Sequence, residues 1–340
     1  MKAAVFKGGH YCVSMEEVPQ PVPGPGEALI RVEYAGICGT DLTICEGGLK
    51  RVRPPIILGH EFSGRVEKVH EGSTPGFPEG APVVVEPLLP CGECYACRSG
   101  FPNVCRRLRL IGIDVDGAFA ACVKVPLQKM YRVPDALPLD QAALVEPLAV
   151  AVHVVRRSKL KAGDSAIVFG SGPIGILVAQ VARAAGASRV IVLEVSEFRL
   201  ALADKLGFTV VDAADPAAVR TVDELTHDEG GDVVFEVTGA ISVASQLVRL
   251  TRIRGQIVIV GVFKEPVAID MQGVIFKELS VVGSRVYEAF DFHRATDLLS
   301  QGRVDVRPLI SHVLPLNETA RGLEIARGAR EAMKVLLQPE

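Results

Sequence analysis

Ser165-Ala-Ile-Val-Phe169-Gly170-Ser171-Gly172-Pro173-Ile174-Gly175 is the stretch on which the fold turns. Ser165 to Phe169 is a short apolar run and reads as a buried strand. It passes straight into Gly-x-Gly-x-x-Gly, and Ile176 to Ala185 continues as a helix. Val190 to Leu193 is the next strand, and it ends at Glu194. A glycine triplet alone is a weak signal. Strand, glycine motif, helix, strand and terminal acid together form the dinucleotide-binding fingerprint in its proper setting.

Each position has a task in that setting. Gly170 makes the tight turn, Gly172 lets backbone amides approach a pyrophosphate, and Gly175 lets helix pack closely on strand. Pro173 and Ile174 belong to the same cofactor loop. The helix start offers unpaired N–H groups and partial positive charge to the phosphates. Glu194 can accept hydrogen bonds from the adenosine ribose and would repel a 2′-phosphate, which favours NAD over NADP. Arg199 acts the other way, because an arginine can welcome that phosphate. The plain alternative for Glu194 is a surface acid at a strand end.

Outward from the fingerprint, strands and helices keep alternating. Asp232 to Val237, Gln256 to Val260 and Leu279 to Val282 read as strands, and Ser242 to Leu250 as a helix, completing a doubly wound parallel sheet. Upstream, Gln141 to Val155 reads as one helix with Pro147 near its start. Before it the texture is irregular and mostly β: Met1 to Phe6, Ala28 to Val32, Gly64 to Val69 and Val83 to Val85. Pro19 to Gly26 is a rigid connector that cannot sit inside a sheet. Downstream, Asp291 to Leu299 and Glu318 to Arg327 read as helices and Leu309 to Val313 as a strand. This tail is expected to rejoin the N-terminal part. The expected division is a catalytic domain at 1–148, rejoined by 284–340, around a dinucleotide-binding domain at 149–283.

The chain has 340 residues, too many for one ordinary core. Its 49% hydrophobic and 23% charged content is that of a globular protein. A net charge of −3 argues against nucleic acid or an acidic membrane surface as partner. No apolar run approaches a membrane span. With no targeting segment ahead of Met1 to Phe6 and eight cysteines, the expected compartment is the reducing cytoplasm.

Two groups of residues have the chemistry of metal ligands. Cys91, Cys94, Cys97 and Cys105 sit in one short segment. Four thiolates so spaced can close around one zinc ion as a structural site, and the rival reading is two disulfides. Gly59-His60-Glu61 follows the apolar run Ile56 to Leu58. Adjacent strand residues point to opposite faces. His60 and Glu61 can meet one ion only if the backbone turns, which Gly59 permits. Cys38 supplies a thiolate candidate, and three such ligands would leave a catalytic zinc with an open position. His60 and Glu61 could equally be a solvated pair, since such pairs are common. Cys12, Cys45 and Cys122 are left over and are expected to be packing residues. His153 reads as a satisfied core histidine.

These motifs carry a resemblance. Gly36-Ile-Cys38-Gly-Thr40-Asp41, Gly59-His60-Glu61-Phe-Ser-Gly64, the four-cysteine lobe, Val145-Glu146-Pro147 through His153, and Gly170 to Gly175 resemble the zinc-containing medium-chain alcohol dehydrogenases along essentially the whole chain. The nearest branch is that of the polyol, butanediol and L-threonine dehydrogenases. The resemblance implies an α/β chain with an irregular, mostly-β, GroES-like catalytic domain and an inserted Rossmann domain. It implies Cys38, His60 and Glu61 as ligands of a catalytic zinc, with Glu146 beside the ion. It implies that Ile174, Glu194, Arg199, Val260, Gly261, Val262, Ser284 and Arg285 line the NAD site. It also implies oxidation of a secondary alcohol, with Thr40 passing on the proton, in a homotetramer or homodimer. Three departures are visible. Thr43 stands where relatives often have a relay histidine, His70 stands where the zinc signature usually has Gly or Ala, and Arg285 and Tyr287 are separated by Val286 where polyol enzymes often place Arg and Tyr side by side. An L-threonine-type 3-dehydrogenase and a non-catalytic dinucleotide-binding protein are the alternative readings; the intact Cys38, His60 and Glu61 argue against the second.

Overall fold

The computed structural model describes residues 1–71, 76–328 and 331–339. They form two compact units: Met1–Glu146 with Glu288–Gly302 and Val306–Glu340, and Pro147–Tyr287 with Arg303–Asp305.

The first unit begins with β1 (Lys2–Phe6), β2 (Val13–Glu17), β3 (Glu27–Gly36), α1 (Gly39–Cys45), β4 (Ile56–Ile57), β5 (Glu61–Val69) and β6 (Pro82–Val85). A small lobe of β7 (Leu88–Leu89), α2 (Tyr95–Arg98) and β8 (Arg109–Leu110) follows, then β9 (Cys122–Pro126), β10 (Met130–Arg132) and α3 (Leu139–Ala142). Next come α4 (Val145–Arg157), β11 (Ser165–Phe169), α5 (Pro173–Ala184), β12 (Arg189–Glu194), α6 (Glu197–Lys205), β13 (Thr209–Asp212) and α7 (Ala218–Leu225). They are followed by β14 (Gly231–Glu236), α8 (Ile241–Leu250), β15 (Thr251–Ile259), α9 (Met271–Phe276) and β16 (Ser280–Gly283). The tail holds α10 (Ala289–Ser300), β17 (Ile310–Pro315), α11 (Thr319–Gly328) and β18 (Lys334–Gln338).

In the first unit, one sheet runs β10-β6-β5-β3-β18-β17, with β9 also on β3. Its register brings three strands together at the end of β3: Gly36 faces Glu61, the first residue of β5, on one side and Leu336 of β18 on the other. That convergence positions the site described below.

The second unit is a six-stranded parallel sheet of order β13-β12-β11-β14-β15-β16. Ile167, Phe169, Ile191, Leu193, Val234 and Ile257 from its strands pack with Val222 of α7 and Leu247 and Leu250 of α8 in one buried core. Continuous apolar strands are what a parallel sheet covered by helices requires. The fold is thus the α/β arrangement with a Rossmann sheet that the motifs imply. Among the described residues, no helix is long and apolar enough to cross a membrane.

The long helix read over Gln141 to Val155 is instead two, α3 and α4. Pro147 is the cause. Inside a continuous helix its ring would meet the carbonyl four residues back, whereas the first turn of α4 tolerates it. The strands β13 and β18 and the helices α6, α7 and α9 had not been read from sequence. Cys45 and Cys122 are buried as expected, but Cys12 is exposed.

Two of the fingerprint glycines are required by the backbone itself. Gly170 has φ +92°, and a Cβ on Gly175 would lie 1.9 Å from the carbonyl oxygen of Gly170. Gly175→Ala should therefore force backbone movement and cost about 1–3 kcal/mol or more. Native-like thermal unfolding of that variant would contradict the contact.

Candidate metal centre and dinucleotide site

The candidate ligand group is assembled where β3 ends and β5 begins. Cys38 caps α1, and its N–H is accepted by Asp41 Oδ2 at 2.8 Å. Gly59, at φ +95°, turns the chain between β4 and β5. A Cβ there would lie 2.5 Å from the ring of Phe119, so the turn also needs a bare backbone. With that turn in place, ligand atoms of Cys38, His60 and Glu61 lie within 4.8 Å of one another. His60 and Glu61 are buried, and Cys38 is partly so.

Glu61 is held by a residue the motifs did not reveal. Lys334, at the head of β18, donates its Nζ to Glu61 Oε2 at 2.5 Å and to the carbonyl of Ile37 at 3.1 Å. Both side chains are almost fully buried, at 4% and 2% exposure. Burial works against the Lys334 charge, but Glu61 and Cys38 outweigh it and raise its pKa. Burial likewise works against the Glu61 carboxylate, and Lys334 and His60 outweigh it, lowering its pKa. The signal in the sequence was a lone lysine leading the apolar run Val335-Leu-Leu337, which demands an acidic partner.

Asp41 is fully buried, and its Oδ1 lies 3.7 Å from His60 Nδ1. Neither atom has a hydrogen-bond partner among the described residues. Burial raises the Asp41 pKa. Burial opposes a charged His60, yet Asp41 and Cys38 pull its pKa well above the usual value. Asp41 thus stands where a carboxylate orients a metal-bound imidazole. Glu146, in the first turn of α4, lies outside the tight three-residue set, but its charge helps raise the pKa of both His60 and Lys334. Three buried carboxyl groups, of Asp41, Glu61 and Glu146, are thus gathered beside the His60 imidazole and the Cys38 sulfur. Such a cluster is costly alone and fits a dication.

Thr40 places its hydroxyl 3.7 Å from the Cys38 sulfur. Thr43 donates its hydroxyl to the carbonyl of Gly39 at 3.0 Å, inside α1.

The four-cysteine lobe is a closed set. The Sγ separations are 3.9 Å for Cys91–Cys97, 3.5 Å for Cys94–Cys97, 3.8 Å for Cys94–Cys105 and 3.5 Å for Cys91–Cys105. A tetrahedron with zinc–sulfur bonds of about 2.3 Å has edges of about 3.8 Å. All four are free thiols, so the disulfide reading fails. Backbone N–H groups of Glu93 and Cys94 lower the Cys91 thiol to about 6. Burial and the neighbouring sulfurs push Cys97 up to about 12, a crowding that a dication relieves.

In the second unit, Glu194 ends β12 and is buried. Its Oε2 accepts from the Ser171 N–H at 2.8 Å and hydroxyl at 3.2 Å, and its Oε1 from the N–H groups of Val195 and Ser196 at 2.9 and 3.2 Å. Arg199 lies 3.8 Å from Glu194, beside Gly172. Pro173 and Ile174 open α5. Val260, Gly261 and Val262 follow β15, and Val262 is 89% exposed. Ser284 and Arg285 follow β16; the Ser284 hydroxyl is buried without a partner among the described residues. Arg285 is exposed and Tyr287 is fully buried.

Two substitutions check this geometry. Lys334→Met should strand the Glu61 carboxylate and cost about 3–5 kcal/mol in urea unfolding; an unchanged midpoint would contradict the pair. Cys94→Ser should remove one zinc per chain by elemental analysis and lower the unfolding temperature. Full metal content in that variant would contradict the closed set.

Comparison with known proteins agrees with this geometry. Residues 24–135 match the alcohol dehydrogenase GroES-like domain, and residues 173–301 match the zinc-binding dehydrogenase pattern. The chain is 42% identical to 2-dehydro-3-deoxy-L-galactonate 5-dehydrogenase of Pseudoalteromonas atlantica, over 93% of this chain and 92% of that one. It is 37% identical to L-threonine 3-dehydrogenase of Bacillus licheniformis, over 100% of this chain and 99% of that one. A crystal structure of 2R,3R-butanediol dehydrogenase from Bacillus subtilis superposes with a TM-score of 0.93 at 33% identity, covering 100% of this chain and 99% of that one. Similarity of this extent, with both family patterns in order along the sequence, means that the chain belongs to the zinc-binding alcohol dehydrogenase family.

Proposed function

We propose that this protein is an NAD-dependent, zinc-dependent dehydrogenase that takes a hydride from a secondary alcohol of the polyol, diol or sugar-derived class. The observation that carries the reading is the buried meeting of Cys38, His60 and Glu61 in a chain that also bears the dinucleotide fingerprint. The first unit is the catalytic domain in this reading and the second is the NAD domain. When bound, zinc supplies Lewis-acid polarisation of the substrate oxygen.

The chain's own side chains do the rest. Cys38, His60 and Glu61 hold the ion, with Glu146 beside it, and Cys91, Cys94, Cys97 and Cys105 hold the structural zinc. Asp41 fixes the imidazole and Lys334 fixes the carboxylate. The Thr40 hydroxyl accepts the alcohol's proton and passes it on. Thr43 is a poorer relay because its hydroxyl is already engaged with Gly39. The loop from Gly170 to Gly175 receives the pyrophosphate at the start of α5. Glu194 selects NAD by repelling a 2′-phosphate, although its acceptors are shared with Ser171, Val195 and Ser196. Val260, Gly261, Val262, Ser284 and Arg285 line the far end of that site.

The protein is proposed to act in the cytoplasm as a homodimer or homotetramer. In the second unit, β16 is an edge strand. Near it in sequence are the exposed apolar side chains of Met271, Ile275, Phe276 and Val281. An open strand edge with exposed apolar residues supports pairing with a second copy.

The test is NADH absorbance with zinc-replete protein and a panel of polyols, diols, sugar acids and L-threonine. Cys38→Ser should abolish turnover in a folded protein. Thr40→Ala should cost about 10²-fold or more, and Thr43→Ala much less. Turnover confined to L-threonine would favour the amino-alcohol reading, which the B. licheniformis relative supports. No NADH from any alcohol would contradict the reading.

A further inference from the structure

The order of the parallel sheet assigns the two halves of a dinucleotide to different strand ends. That order reverses between β11 and β14, and a dinucleotide lies across such a switch point. The glycine motif follows β11 and Glu194 follows β12, so the adenosine half belongs on that side. The nicotinamide half then falls on the C-terminal ends of β14, β15 and β16.

One residue ties the first two of those ends together. Glu236 is the last residue of β14 and is fully buried. Its main-chain carbonyl accepts the N–H groups of Val260 at 2.8 Å and Gly261 at 3.0 Å, just past β15. Its Oε1 accepts the Thr238 N–H at 2.8 Å, the Thr238 hydroxyl at 2.5 Å and the Gly239 N–H at 2.9 Å. The two loops are pressed together without spare room. A Cβ on Gly261 would lie 2.1 Å from the Gly239 nitrogen and 2.5 Å from Glu236 Oε2. The Thr238 methyl reaches in turn to 2.7 Å from where a Cβ on Gly170 would stand. Oε2 has no hydrogen-bond partner among the described residues.

A buried carboxylate whose second oxygen has no partner is a costly way to close a turn. Asparagine or serine closes such turns with less buried charge. Stability alone therefore does not account for Glu236. We infer that Glu236 is a positioning residue for the nicotinamide half of the site. It locks Thr238–Gly239 and Val260–Gly261 into one surface, and through that surface it fixes the ring for hydride transfer. The inference rests on the NAD reading above.

The experiment compares wild type with Glu236→Ala, Glu236→Gln and Thr238→Val in the zinc-loaded enzyme. Binding of AMP and of NADH is titrated, and kcat and the deuterium isotope effect are measured with the best alcohol of the panel. Glu236→Ala should leave AMP affinity within about twofold, because Glu194 holds Ser171, Val195 and Ser196 without it. It should lower kcat about 10²-fold, the scale of a small misplacement of reacting groups, with a larger isotope effect. Glu236→Gln keeps an acceptor oxygen and should recover kcat to within about tenfold of wild type. Thr238→Val, which removes one donor and keeps the shape, should lower kcat in the same direction. It decides the matter should Glu236→Ala fail to fold. Unchanged kcat in folded Glu236→Ala or in Thr238→Val would overturn the inference, as would loss of AMP and NADH binding in parallel. Wild type that binds no NADH would overturn the NAD reading itself, and the inference with it.

Discussion

A lysine and a glutamate buried against each other hold this protein's reactive centre in place. Lys334 comes from the last strand of the chain and Glu61 from a strand 273 positions earlier. The same ammonium also reaches the carbonyl of Ile37, next to Cys38. One cation therefore anchors two of the three residues that converge on the candidate metal position, and Asp41 aligns the third. Buried ion pairs contribute little net stability, because desolvation offsets most of the attraction. What this pair contributes is placement. It stops Glu61 from seeking solvent and stops the Cys38 loop from drifting away from β5. The carboxylates, the imidazole and the sulfur gathered near Lys334 are donors that fit a dication.

The second unit uses a different device for a similar end. The core faces of its strands are apolar, and two buried carboxylates stand at the C-terminal ends of β12 and β14. Glu194 gathers the N–H groups of Ser171, Val195 and Ser196, and Glu236 gathers those of Thr238 and Gly239. Each carboxylate organises the loops beside it where one half of a dinucleotide would rest. Flexible turns become a fixed surface because acceptors inside the crest take their donors.

Much of this was legible in the chain itself. Cysteines at 91, 94, 97 and 105 can close on one ion by local geometry alone, so spacing suffices to read them. The glycine motif was readable for the same reason, since strand, turn and helix are contiguous. Cys38, His60 and Glu61 required the register of β3 on β5, which no local pattern encodes, and only their motifs pointed to it. Lys334 shows in the sequence only as a lone lysine leading an apolar run, and its partner Glu61 is too far off for any local pattern to name. Glu236 was read merely as part of a strand, since its hydrogen bonds exist only once β14 and β15 lie side by side. The helix assigned across Gln141 to Val155 failed on a local rule, the steric demand of Pro147, that apolar periodicity had masked.

The central claim is that the buried cluster around Lys334 is a metal position distinct from the cysteine lobe. Anomalous diffraction at the zinc absorption edge, on crystals of the zinc-loaded protein, tests it most directly. The account predicts two peaks per chain. One would be surrounded by the four sulfurs of Cys91, Cys94, Cys97 and Cys105. The other would be in bonding contact with the Cys38 sulfur and the His60 imidazole, with Glu61 in the same shell. A single peak at the cysteine lobe, with Cys38, His60 and Glu61 bare in zinc-saturated crystals, would contradict it.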